Sequence, residues 1–489
     1  MELQVSPAPP AGGTKKLAST IARDIEADIV RRGWPVGESL GSEIALQQRF
    51  RVSRSVLREA VRLVEHHRVA RMRRGPGGGL LITEPDAGPA TRAIVIYLEY
   101  LGTTLADLLT ARLVLEPLAA ALAAEHIDEA GIERLRAVLH AEQQWRPGLP
   151  APRDEFHITL AEQSKNPVLQ LFIDVLMRLT TRYALRSRTE SASEAIEALD
   201  YMHNDHSDLV AAVTAGDSAR AKTLSERHVE AVNAWLQEHH RGRASRPARR
   251  RRRGTDAEVP RDKLAEVVAA AIGDEIGSGD WPVGSVFGTE TALLERYRVS
   301  RAVLREAVRL LEYHSVAQMR RGPGGGLIVT EPHAQASIDT IALYLQFRQP
   351  SREDLRCVRD AIEIDNVAKV VKRRTEPEVT AFLHAYRPAL DGTTQTVGDA
   401  HQATWEEARF HIELAQLAGN SLLDLFLRII IELFRRHWSS TAQEPPAPDD
   451  VVAVEHAHLR ILDAITAGDD SLARYRIRRH LDAAASWWL

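Results

Sequence analysis

The stretch RVSRSVLREAVRLVEHHRVARMRRGPGGGLLITEP fills residues 51–85, and RVSRAVLREAVRLLEYHSVAQMRRGPGGGLIVTEP fills residues 298–332. Only seven of the 35 paired positions differ (55, 64, 66, 68, 71, 81 and 82 in the first), so the chain carries a duplication. In the first copy Ser53 stands where a helix N-cap belongs. Val56, Leu57, Val61 and Val64 follow at helical spacing and predict a helix running to His66. Upstream, Leu17, Ile21, Ile25, Ile29 and Val30 predict an amphipathic helix over 15–32, ended by the GWPVG turn at 33–37. Ser42 then caps a short helix reaching Phe50. Two short helices joined by a tight turn make a helix-turn-helix candidate, and Val69 to Arg74 and Leu80 to Thr83 predict a hairpin around the glycines.

A glycine loop behind two arginines suggests phosphate, and the flanking residues decide which kind. A mononucleotide loop needs Lys and then Ser or Thr after its last glycine, whereas GPGGG is followed here by LLIT or LIVT. The dinucleotide fingerprint fails as well, with no G-x-G-x-x-G opening a helix. A glycine hairpin tip beside a basic helix pair fits a DNA backbone or minor groove, where close backbone approach matters. The charge agrees. The net charge is −4, yet residues 51–74 hold eight arginines against Glu59 and Glu65, and residues 298–321 hold six against Glu306 and Glu312.

The likeness between copies extends from WPVG at 34–37 and 281–284 to HITLAEQSKNPVL (157–169) and HIELAQLAGNSLL (411–423). Each unit is therefore far longer than a solenoid repeat. Between the units lies RGRASRPARRRRRGTDAEVP (241–260), whose composition predicts an exposed basic linker and whose Arg249 to Arg253 could add phosphate contacts. Residues 1–13 read as a disordered lead without the apolar run of a signal peptide. No apolar stretch is long enough to suggest a membrane span. With Cys357 the only cysteine, no intramolecular disulfide or thiolate metal cluster can form, and a cytoplasmic location is expected.

VSRSVLREAVRLVE followed by RRGPGGG resembles the winged helix-turn-helix of GntR-family bacterial transcription factors. The helical remainder of each unit resembles the FCD ligand-binding domain of the FadR-type subfamily. The resemblance implies a mainly α fold in tandem: winged helix-turn-helix domains at 14–85 and 261–332, and all-helical FCD-like bundles at 86–240 and 333–489. It also implies DNA contacts from Ser53, Arg54, Ser55 and Arg58, and in the second copy from Ser300, Arg301 and Arg305. The wing positions are Arg74 and Gly75, and Arg321 and Gly322. Where the family often places a polar or basic DNA-facing residue, this chain has Ile44 and Thr291. The implied function is transcriptional regulation by a single-chain pseudo-dimer on a pseudo-palindromic double-stranded operator, with further homo-oligomerisation open and no catalytic residues.

The FCD resemblance further implies a divalent metal site, zinc being the expected ion. Its ligands in the second bundle would be Glu407, His411, His458 and His480; His157, His206 and His228 match in the first. Both copies keep 22 residues between their last two histidines. The first copy has Arg153 at the position of Glu407, with Asp154 one residue out of register, so an ion is expected in the second bundle only. Arg112 and Arg359 match a family arginine that faces the pocket. With Arg153 they are candidates to hold the carboxylate of a small organic-acid effector, while an i,i+4 ion pair to Glu116 or Glu363 competes for the first two. Two other functions stay open at this point: a metal-dependent enzyme built on the histidines, and a scaffold that binds DNA without sequence preference.

Overall fold

The computed structural model describes residues 11–73, 75, 78–144, 155–186, 192–241, 261–277, 281–320, 322, 324–332, 334–390, 400–440 and 448–488. Residues 1–10 of the lead, Arg74, Arg153, Asp154, most of the linker with Arg249 to Arg253, and Arg321 lie outside them, whereas residues 11–13, read from the sequence as part of a disordered lead, open a helix.

In the first copy the elements run α1 (Ala11–Arg31), α2 (Glu43–Phe50), α3 (Arg54–His66), β1 (Ala70–Arg73), β2 (Gly79–Ile82), α4 (Ala87–Tyr100), α5 (Leu105–His126), α6 (Glu129–Gln144), α7 (Glu155–Gln163), α8 (Pro167–Arg186), α9 (Ala192–Thr214) and α10 (Ser218–Arg241). The second copy repeats them as α11 (Arg261–Gly277), β3 (Val286–Gly288), α12 (Glu290–Tyr297), α13 (Arg301–Tyr313), β4 (Ala317–Arg320), β5 (Gly326–Val329), α14 (Ala334–Arg348), α15 (Arg352–Lys372), α16 (Pro377–Leu390), α17 (Ala400–Ala418), α18 (Ser421–Ser440), α19 (Pro448–Ala467) and α20 (Asp470–Trp488). The chain divides into two compact units, 1–97 with 258–349 and 98–257 with 350–489, so like domains share a unit. Among the described residues no helix is long and apolar enough to cross a membrane.

In the winged unit Ser53 caps α3, its hydroxyl accepting from the Val56 N–H, and Ser300 caps α13 through Val303 in the same way. Val56, Leu57, Ala60, Val61 and Val64 are buried, and the last four share a core with Ile21, Ile25 and Ile29 of α1. A left-handed Arg51 (φ 52°) ends α2 and makes the tight turn into α3. The hairpins pair antiparallel, Met72 opposite Leu80 and Met319 opposite Leu327. The sequence reading missed a third strand: β3 joins the second hairpin through β5 with a register shift, while the first copy has only a Ser39–Leu81 bridge there. Leu343 and Phe347, from α14 of the second copy, pack into the core of the first winged domain, where Phe347 lies against Trp34 with ring centroids 5.2 Å apart.

In the helical unit capping boxes start α5 (Thr104 with Asp107) and α15 (Ser351 with Asp354). The copies meet through reciprocal contacts. Asn166 Nδ2 donates to the Asp354 carbonyl and Asn420 Nδ2 to the Asp107 carbonyl, both at 2.9 Å. Each asparagine also caps the helix that follows it, Asn166 accepting from Val168 N–H and Asn420 from Leu422 N–H.

Candidate functional site

Two kinds of site emerge, one per unit. At the start of each recognition helix the described residues expected to contact DNA take the helical positions that the sequence predicts. Ser53 and Ser300 are the caps, Arg54 and Arg301 the first helical residues, and Arg58 and Arg305 follow one turn later. Arg54 and Arg58 are well exposed, and both donate through Nε to Glu43 Oε1, at 3.1 and 2.8 Å. Ser55 pairs with Ser53, hydroxyl to hydroxyl, at 3.0 Å. Gly75 and Gly322 adopt φ near +100° (102° and 103°), a conformation that favours glycine at the wing. Glu65 of α3 accepts from the Met72 N–H at 2.9 Å and Glu312 from the Met319 N–H at 3.1 Å, which ties each wing to its recognition helix.

In the second bundle three imidazoles converge on one carboxylate. Glu407 Oε1 lies 2.9 Å from His411 Nε2 and 3.1 Å from His480 Nε2, and Glu407 Oε2 lies 2.8 Å from His458 Nε2. All four side chains are buried. Glu407 Oε2 and His458 Nε2 face each other without a hydrogen bond, a pair of buried lone-pair atoms suited to a shared cation. His411 Nδ1 contacts Glu363, whose Oε1 accepts from Arg359 Nε at 2.6 Å. This orients the ring from behind, as outer carboxylates orient metal-binding histidines. Burial disfavours every charge here, but Glu363 and Glu407 outweigh it at His411 and raise its pKa to about 9. Burial likewise opposes ionisation of Glu363, and His411 and Arg359 overcome it and lower its pKa to about 2. At His458 burial prevails and pushes the pKa down to about 4. The ring of Phe410 stacks on His458 at 3.8 Å.

The first bundle repeats this geometry with different acids. His157, His206 and His228 bring one ligand atom each within 4.8 Å of the others, and Phe156 stacks on His206 at 3.8 Å. Each ring is held from behind: His157 Nδ1 by Glu116 at 2.9 Å, His206 Nδ1 by Glu142 at 3.0 Å, and His228 Nδ1 by Asp205 at 3.3 Å. Burial keeps His206 and His228 uncharged, lowering His228 to about 2. Arg112 and Arg359 both make the i,i+4 ion pair, Arg112 Nε donating to Glu116 Oε1 at 2.5 Å. Yet Arg112 Nη1 is buried with no hydrogen-bond partner.

The sequence reading missed Glu43, Glu142 and Asp205. Glu43 had a usable signal, an acid opening the helix before the recognition helix. Glu142 and Asp205 reach their histidines at positions that no helical spacing links to the repeated set.

A basic recognition helix with a glycine-tipped wing, present twice, defines a DNA-binding protein of the winged helix-turn-helix class. The family model described as "Bacterial regulatory proteins, gntR family" matches residues 17–79 and 264–326, and the FCD domain model matches 107–231 and 354–483. The chain belongs to the gntR family, with an FCD domain in each copy. It is similar to the Uxu operon regulator of Haemophilus influenzae, 26% identical over 233 residues that span 44% of this chain and 80% of that protein. It is similar also to the HTH-type transcriptional repressor NanR of Cronobacter sakazakii (25% over 242 residues, 47% and 87%) and to the HTH-type transcriptional regulator LutR of Bacillus subtilis (28% over 213 residues, 42% and 92%). Among solved structures, Streptococcus agalactiae GntR matches with a TM-score of 0.33 and 21% identity, covering 45% of this chain and 99% of that one. The protein is a DNA-binding transcriptional regulator, and the metal-dependent enzyme reading gives way to it.

Proposed function

We propose that a single chain acts as a covalent pseudo-dimer, its two winged domains occupying the inverted half-sites of one operator. The observation that carries this reading is the reciprocity of the copies: Asn166 to the Asp354 carbonyl and Asn420 to the Asp107 carbonyl, the same bond made in both directions. Covalent linkage makes the second half-site contact intramolecular, so operator binding needs one chain. Mixing chains of two sizes with one labelled operator tests this. Two shifted bands without a hybrid band support it, whereas a hybrid complex, or a footprint on direct repeats, overturns it.

The bundles would sense a small organic acid. Supporting this is the unpartnered Arg112 Nη1, a buried N–H beside the histidine cluster that a carboxylate oxygen would satisfy. Arg359 holds the matching place in the second bundle, and Arg153 lies outside the described residues. In the second bundle Glu407, His411, His458 and His480 would hold a divalent ion, zinc or a neighbouring transition metal. The ion would offer a Lewis-acid point for the effector. The chain's own residues orient the ligands, through Glu363 behind His411 and Phe410 against His458. Calorimetric titration with a panel of small carboxylates, followed by the operator affinity of each loaded form, tests the effector; no member altering DNA binding would overturn it.

A further inference from the structure

The two copies repeat the same DNA-facing arginines but hold them differently. In the first, one oxygen of Glu43 accepts from the Nε of both Arg54 and Arg58. Their side chains remain 64% and 53% exposed, so the guanidinium ends stay open to a duplex. The second copy has the same residue types in the same places, Glu290, Arg301 and Arg305. Among the described residues no ion pair joins them.

This difference bears on how bases are read. A long exposed arginine carries much rotamer freedom, which it loses on docking. Reading guanine requires the planar fork to meet O6 and N7 in one orientation, while a phosphate accepts many. Fixing Nε beforehand removes part of the ordering cost for the base contact. The same carboxylate also repels the DNA backbone, which weakens binding to any sequence.

We propose that Glu43 is a positioning residue for DNA reading. It pre-orients Arg54 and Arg58, so the first copy discriminates bases more sharply than the second, where Arg301 and Arg305 stay free. The inference rests on the reading of the chain as a sequence-specific operator binder.

The test uses the full chain as wild type, Glu43→Gln and Glu290→Gln, selecting bound duplexes from a random pool and titrating random DNA against salt. The wild type should select two half-sites of unequal guanine preference. Glu43→Gln should lose about tenfold in that preference at the sharper half-site, within the range of one bidentate contact. It should at the same time bind random DNA more tightly, whereas a merely structural role would lower both. Glu290→Gln should keep the unequal pattern. An unchanged selection profile for Glu43→Gln, equal half-sites in the wild type, or a uniform loss of affinity overturns this inference alone. If the wild type selects no sequence, the operator reading fails and takes this one with it.

Discussion

Phe172 and Phe426 hold the same position in the two copies and stack on each other, ring centroids 3.9 Å apart and planes 5° from parallel. Both rings are fully buried, so each fills the space its counterpart leaves. Truncating either should cost about 3–5 kcal/mol, the range for a buried Phe→Ala change. Because the two rings pack on each other, the double variant should cost less than the two single costs added together. Chemical denaturation of Phe172→Ala, Phe426→Ala and the double variant measures this; simple additivity would mean the rings pack independently.

A second cross-copy contact predicts pH dependence. His66 Nε2 faces His314 Nε2 at 3.3 Å, with His67 and Tyr313 packed on either side. The surroundings also bring Arg68 and Arg92 near His66, while Glu26 takes Nδ1 of His67. Burial, then the mutual repulsion of the rings, holds His66 well below its usual value, and burial lowers His314 to about 3. Between pH 6.5 and about 3 the unfolded chain binds protons that the folded one refuses, so folding stability falls as pH drops through that window. Melting temperatures at pH 5 and 7.5 should differ less in the His66→Phe, His314→Phe double variant than in the wild type. An identical difference would remove these rings as its source.

Much of the winged domain is legible in the sequence because several local signals coincide. Ser53 marks the cap, Val56 to Val64 mark the buried face, and the glycines mark the hairpin tip. The strand β3 is not legible, since it is three partly exposed residues paired across a register shift. Nor does any local pattern say that Phe347 of the second copy enters the core of the first winged domain, because periodicity gives a buried face and not its partner. The histidine clusters are half legible. Spacing gives Glu407 with His411 on one helix face, but Glu142 and Asp205 reach their histidines through a fold that sequence spacing does not describe.

The wing hairpin sets a steric prediction. A Cβ on Gly79 would sit 2.6 Å from the Gly41 carbonyl oxygen and 2.5 Å from Ser39 Oγ, at a φ of +149° that side chains rarely adopt. The backbone alone costs about 1–3 kcal/mol there, and the carbonyl contact adds to it. At Gly75 the φ is +102°, but a Cβ meets nothing within 4 Å among the described residues. Gly79→Ala should therefore lower the melting temperature more than Gly75→Ala does. Thermal melts of the two variants decide it, and the reverse order would mean that β2 does not pack against residues 39–41 as described.

The bundles should differ in metal content. Glu407 supplies a carboxylate inside the ring of His411, His458 and His480, and its Oε2, 2.8 Å from His458 Nε2, accepts no hydrogen bond and so has a lone pair for a cation. In the first bundle the acids that touch His157, His206 and His228 contact their Nδ1 atoms, behind the rings. The residue matching Glu407 in the sequence is Arg153, which lies outside the described residues and offers no carboxylate. The first triad offers a divalent ion one ligand fewer than the second cluster and no inner carboxylate, so it should hold the ion less tightly of the two. Elemental analysis of the purified chain should find one ion per chain. His411→Ala should abolish it, and His157→Ala should leave it in place. Two ions per chain, each lost with its own histidine, would show that the first triad suffices without an inner carboxylate.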